Sequence, residues 1–159
     1  MAYRNSRNLE ASLIDFFTAE LIAGPNPWVG VQCEKSLKQA EIVLPTILIY
    51  VQDTDAQKKE IGSGTFLKFP TVVIRIYAKS DGQRLDLADW VLEQLEGTIS
   101  YYTYTITSGV VSSKVLAGGI SIVKIIRNDK ELANTDPALL VSEDRYRHNI
   151  TFSCYVGEI

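Results

Sequence analysis

The chain has 159 residues, 46% of them hydrophobic and 22% charged, and 16 Lys+Arg against 19 Asp+Glu leave a formal net charge of -3. That length suits one domain, and the apolar share is far above that of a disordered segment. Five Pro and ten Gly exclude collagen-like or low-complexity architecture, and a slightly acidic chain is poorly suited to gripping a phosphate backbone.

The first predicted element is a helix. Ser6 or Asn8 can cap it, and Leu9, Leu13, Phe17 and Leu21 follow at four-residue spacing, with Ile14 and Phe16 widening the apolar face. Gly24-Pro25-Asn26-Pro27 stops it. A short strand is expected over residues 28–33, then a β-rich run over 42–51, with Pro45 placing the strand at an edge or starting it at Thr46. Residues 52–64 (QDTDAQKKEIGSG) are polar and poor in core material, and read as a mobile hairpin loop or arm. In the strand over 71–78, Val72, Ile74 and Ile76 face the core while Val73, Arg75 and Tyr77 face away.

A second helix runs from Asp81-Gly82 to about Glu96, with Leu85, Ala88, Val91, Leu92 and Leu95 on its main apolar face. Strands are expected over 99–107, 110–116 and 120–127, the last two separated by a Gly118-Gly119 turn, followed by an acidic loop over 128–143. The final strand alternates cleanly. Tyr146, His148, Ile150, Phe152, Cys154 and Val156 share one face; Arg145, Arg147, Asn149, Thr151, Ser153 and Tyr155 share the other. The order implies an α+β fold: a mainly antiparallel twisted sheet, two helices on one face and a long β-hairpin loop.

Cys33 and Cys154 lie far apart and suggest no disulfide framework. Asp15 and Glu20 interrupt the apolar residues after the basic start, so no signal peptide is expected. The longest apolar stretch falls well short of the roughly 20 residues of a membrane span. A soluble protein made in a reducing cytoplasm is expected.

Acid–base or metal chemistry has little material. His148 is the single histidine and lies on the apolar side of its strand, and Cys154 shares that face. Both read as core or interface residues. One His and two distant Cys do not make a zinc site. Gly62-Ser63-Gly64 lacks the Lys-Ser/Thr of a phosphate loop. Tyr101, Tyr102 and Tyr104 could stack bases on a sheet, but Tyr is equally what a half-buried strand prefers. No cofactor and no catalytic residue are expected.

The second helix is more informative. Asp86, Asp89, Glu93 and Glu96 fall within about 80° of arc and form one acidic stripe. Residues 81–96 hold five acids and one base, a local charge of -4. Leu87 and Trp90 flank that stripe and read as a subunit interface. The stripe is either a solvated face or a surface that must stay negative.

The whole pattern resembles the tail terminator (tail completion) proteins of long-tailed bacteriophages. The features that carry the resemblance are the helix with Leu9, Leu13 and Phe17, the strand opening Pro45-Thr46-Ile47-Leu48-Ile49, and the polar hairpin before Phe69-Pro70-Thr71-Val72. The helix Arg84-Leu85-Asp86-Leu87-Ala88-Asp89-Trp90-Val91 and the strand Arg145-Tyr146-Arg147-His148-Asn149-Ile150-Thr151-Phe152 complete it. The resemblance implies a structural virion protein, built in the host cytoplasm, whose hexameric ring caps the tail tube and joins it to the head connector. Its partners would be its own copies, the tail-tube protein and the head-completion protein, with DNA passing through unbound and no membrane involved. In such a ring the stripe Asp86, Asp89, Glu93 and Glu96, or the acidic 129–144 segment, would face the lumen. The hairpin loop, with Asp55, Lys58, Lys59 and Glu60, would contact a neighbour or partner. Other readings remain open: another head–tail connector, a stopper or the tube protein itself, an enzyme with a site shared between subunits, or a single-stranded nucleic-acid binder.

Overall fold

The structure, a computed structural model, describes residues 5–23, 28, 30–35, 44–58, 61–62, 64, 66–130 and 146–158. In chain order these form α1 (Asn5–Ile22), β1 (Gln32–Glu34), β2 (Thr46–Lys58), β3 (Phe66–Tyr77), α2 (Asp81–Leu95), β4 (Ile99–Thr107), β5 (Val110–Lys130) and β6 (Arg147–Glu158). The strands make one sheet in the order β1-β2-β3-β6-β5-β4. β1 runs parallel to β2 and the other neighbours pair antiparallel. The fold is α+β, with both helices packed on the same sheet face.

The four-residue spacing in α1 becomes a buried stripe. Leu9, Leu13, Phe17 and Leu21 pack into one core with Ile47 and Ile49 of β2, Val72, Ile74 and Ile76 of β3, and Ile150, Phe152 and Cys154 of β6. Each large apolar side chain so buried contributes about 1.5–3 kcal/mol. A hydrogen bond contributes a net of about 0.5–1.5 kcal/mol, so packing drives α1 onto the sheet. Hydrogen bonds decide where it lies. The Ser12 hydroxyl accepts from the Tyr102 amide at 2.9 Å and donates to the Tyr102 carbonyl at 3.4 Å. Asn8 Oδ1 accepts from the Tyr104 amide at 3.3 Å, and Glu10 Oε1 accepts from the Val51 amide at 3.0 Å. β4 is the last strand of the sheet, and β1 flanks β2 only as far as Leu48, so among the described residues these amides face no strand. Three helix side chains take the place of one. Asn8 is therefore a buried residue within the helix, serving β4, and not the cap its type suggested.

β2 does begin at Thr46, as Pro45 implied, but of the loop expected over residues 52–64 the part over 52–58 is corrected to strand. The ladder with β3 runs from Thr46 opposite Tyr77 out to Lys58 opposite Phe66, with one bulge between Val51 and Asp53. Residues 52–58 are polar on both faces and all exposed, so they carry no hydrophobic alternation and only backbone pairing marks them as strand. The outer hairpin is an arm beyond the core.

The break expected at Gly118-Gly119 is corrected too. β5 is continuous from Val110 to Lys130, about 70 Å at the usual rise per residue. It pairs with β4 through Ile120 and with β6 from Gly118 onward, so the glycines mark a change of partner. A Cβ on Gly119 would meet Thr98 Cγ2 at 3.0 Å, so that Thr98 would have to give way. The real reversal is Ser108-Gly109, with φ of 53° and 78°, the left-handed pair of a two-residue hairpin turn.

α2 is capped by Ser80, whose hydroxyl accepts from the Gln83 amide at 3.2 Å. Its buried residues are Arg84, Leu87, Ala88, Val91 and Leu95, while Leu85 is 47% exposed. The helix is thus rotated from the expected face, exchanging Leu85 for Leu87.

Ser12→Ala should lower stability by about 1–3 kcal/mol, because it orphans the Tyr102 amide, and Phe17→Ala by about 3–5 kcal/mol. Urea unfolding measures both. A Ser12→Ala midpoint equal to the wild type would show that the β4 edge does not depend on this contact.

Candidate functional site

The acidic stripe exists as a surface: Asp86, Asp89 and Glu93 on α2 and Glu96 at its C-cap are all exposed. None of the four forms an ion pair among the described residues. Like charges at this spacing cost a few tenths of a kcal/mol per pair, and no lysine or arginine among the described residues pairs with them. Of the interface expected of Leu87 and Trp90, the Leu87 half is corrected. Leu87 is fully buried, spent on the core of its own chain. Trp90 is half-buried and lies edge-on to Phe17, with ring centroids 6.0 Å apart, and 6.3 Å from Trp28. Asp55 and Lys58 stand exposed on the arm, while Lys59 and Glu60 lie outside the described residues. Of the acidic 129–144 segment, Asp129 pairs with Arg127 at 2.7 Å and Lys130 ends β5; residues 131–144 lie outside the described residues.

The tyrosines form no open stacking platform. Tyr101 and Tyr104 are buried, and Tyr102 has the Lys114 ammonium 4.6 Å over its ring. The Tyr104 hydroxyl donates to Asp15 at 2.6 Å; burial first, then that bond, push its pKa up, so it holds its proton. Burial likewise pushes the Cys33 and Cys154 thiols up to about 12, leaving neither as a thiolate nucleophile near neutral pH.

The most constructed polar cluster joins α2, β6 and β5. Arg84, buried in the first turn of α2, donates from Nε to Asp81 at 3.0 Å and from Nη1 to His148 Nδ1 at 2.6 Å. His148 Nε2 lies 2.7 Å from Asn128 Oδ1. Since Nδ1 accepts from a guanidinium, the imidazole proton sits on Nε2 and is donated to Asn128, which requires a neutral ring. Lys130 adds a second cation to Asp81 at 3.4 Å. The Asp81 carboxyl is held below its usual range, first by the Arg84 hydrogen bond. The His148 pKa is lowered by burial and then by the Arg84 charge, against smaller opposing effects of Asp129 and Asp89. His148 therefore is the core-facing residue its strand position suggested. Arg84 was missed, although it lies on the stripe of Leu87, Ala88, Val91 and Leu95.

A trough crosses the first turns of α1, with hollows of about 480 and 380 Å³ that share Arg7, Glu10 and Lys35. Its lining mixes both charges with Ile14, Ile106 and Val111 and includes no His or Cys. Among the described residues no group of three His, Cys, Asp or Glu could hold a metal ion, and no helix is long and apolar enough to cross a membrane. No protein-family model matches the chain, and no curated protein matches it by sequence.

The cluster has a pH signature. Because the folded His148 pKa is lowered, stability is fully present above the unfolded value of about 6.5 and is lost as pH falls through the folded pKa. Urea midpoints between pH 8 and 5 should drop below pH 6.5 in the wild type. His148→Gln should be less stable at pH 8 but flatter across this range. An equal slope in both proteins would show that His148 does not titrate as this cluster requires.

Proposed function

We propose that the chain is the subunit of a closed ring that caps the tail tube of a long-tailed bacteriophage and joins it to the head connector. The observation that carries the reading is a division of the surface. The core is closed by the chain's own α1, while the arm lysines and an acidic helix face stand without ion-pair partners among the described residues. A free-standing monomer has no need of either, whereas a ring subunit must reach its neighbours on two sides. The element order that resembles tail terminators supports the same reading.

On this reading the protein binds its own copies, the tail-tube protein and the head-completion protein, within the virion neck after assembly in the host cytoplasm. The net charge of -3 suits a passage along which DNA slides without sticking. No reacting group is needed, and the neutral His148 and the protonated thiols are used structurally.

Sedimentation velocity on the purified chain, alone and with isolated tail tubes, tests the proposal. One discrete oligomer that binds tube ends and blocks further elongation is expected. Open filaments would instead fit a tube protein, and a monomer indifferent to tubes would overturn the ring.

A further inference from the structure

The arm has two chemically different faces. Across the bulge, Thr54 pairs with Pro70, Ala56 with Lys68 and Lys58 with Phe66, so Ala56, Lys58, Phe66 and Lys68 share one face. That face points to the helix side of the sheet, yet Phe66 is 50% exposed and both lysines stand in solvent. Neither lysine has an ion-pair partner among the described residues. The outer face of α2 presents the reverse combination: Leu85, 47% exposed, beside Asp86, Asp89, Glu93 and Glu96.

We infer that the β2–β3 arm of one copy lies along the outer face of α2 in a second copy, with Phe66 against Leu85 and Lys58 and Lys68 among the stripe carboxylates. The inference deepens the ring reading and rests on it. The dimensions agree. Successive same-face residues on a strand are about 7 Å apart, and successive stripe residues on a helix rise about 4.5–6 Å. Two cations and an aromatic ring therefore span two turns of α2. The contact is head-to-tail, because the arm and α2 are different surfaces of each copy, and such contacts close into rings when the rotation permits. It places the stripe at a subunit boundary and not on the lumen. The alternative route, pairing through the open edge of β5 beside Val123 and Ile126, is obstructed by two bulges, at Ile122/Lys124 and Ile125/Arg127.

The test is a charge exchange on exposed positions, with circular dichroism confirming that each variant folds. Sedimentation velocity is run on the wild type, Lys58→Glu/Lys68→Glu, Asp89→Lys/Glu93→Lys, and the chain carrying all four changes. Each pair of reversals should weaken self-association at least tenfold, and the fourfold variant should recover most of it. High salt should weaken the wild type. If the wild type assembles and the reversals leave its dissociation constant unchanged, the arm contact is wrong and the ring stands. If the wild type remains monomeric at high concentration, ring and contact fall together.

Discussion

Three side chains on one helix hold the edges of this sheet. Ser12 and Asn8 satisfy the outward amides of β4, and Glu10 satisfies the Val51 amide of β2, strands that lie near opposite sides of the sheet order. An unpaired buried amide costs about 1–3 kcal/mol, so α1 packed here without these side chains would leave the cost of three such groups. Without those bonds the apolar stripe of α1 could slide along the core; with them it has one register. The buried stripes of β2, β3 and β6 then meet α1 and α2 on a single face. What lies outside that closure is left for other contacts: the arm, the outer face of α2 and the β4–β5 ribbon.

The relay from Asp81 through Arg84 and His148 to Asn128 does for α2 what Ser12 does for α1. It pins the first turn of the helix to β6 and to the end of β5, where the ladder would otherwise finish unsupported. Its chemistry is specific: a neutral imidazole, one tautomer, and an arginine whose charge is matched by Asp81. A buried arginine left without these partners would be strongly destabilising, which ties the cluster to architecture.

The sequence was most legible where one face of an element is apolar and the other polar. The spacing of Leu9, Leu13, Phe17 and Leu21 and the alternation through Ile150, Phe152 and Cys154 report the core directly. Legibility failed where burial does not follow hydrophobicity. Residues 52–58 are polar on both faces, so their strand is held by backbone bonds that no side-chain pattern records. Gly118-Gly119 looks like a turn, but the absent side chain of Gly119 permits close approach to Thr98 while the strand continues. Arg84 in a buried stripe and Leu85 in solvent rotate α2 away from its simplest helical wheel. The reasons lie in His148 and Asn128, far along the chain. Of the candidate surfaces, the acidic stripe and the arm's Asp55 and Lys58 could be named from sequence as exposed polar groups. Leu87 could not be placed correctly, because an apolar flank and an apolar core look alike until the helix is docked.

The account turns on α1 acting as the missing strand, since that closure separates the surface the fold itself uses from the surface it leaves exposed. Native-state hydrogen exchange reads it residue by residue. The amides of Val51, Tyr102 and Tyr104 should exchange as slowly as those of the central strands β3 and β6, through global unfolding. Exchange of those three as fast as the amides along the open edge of β5 would contradict the account.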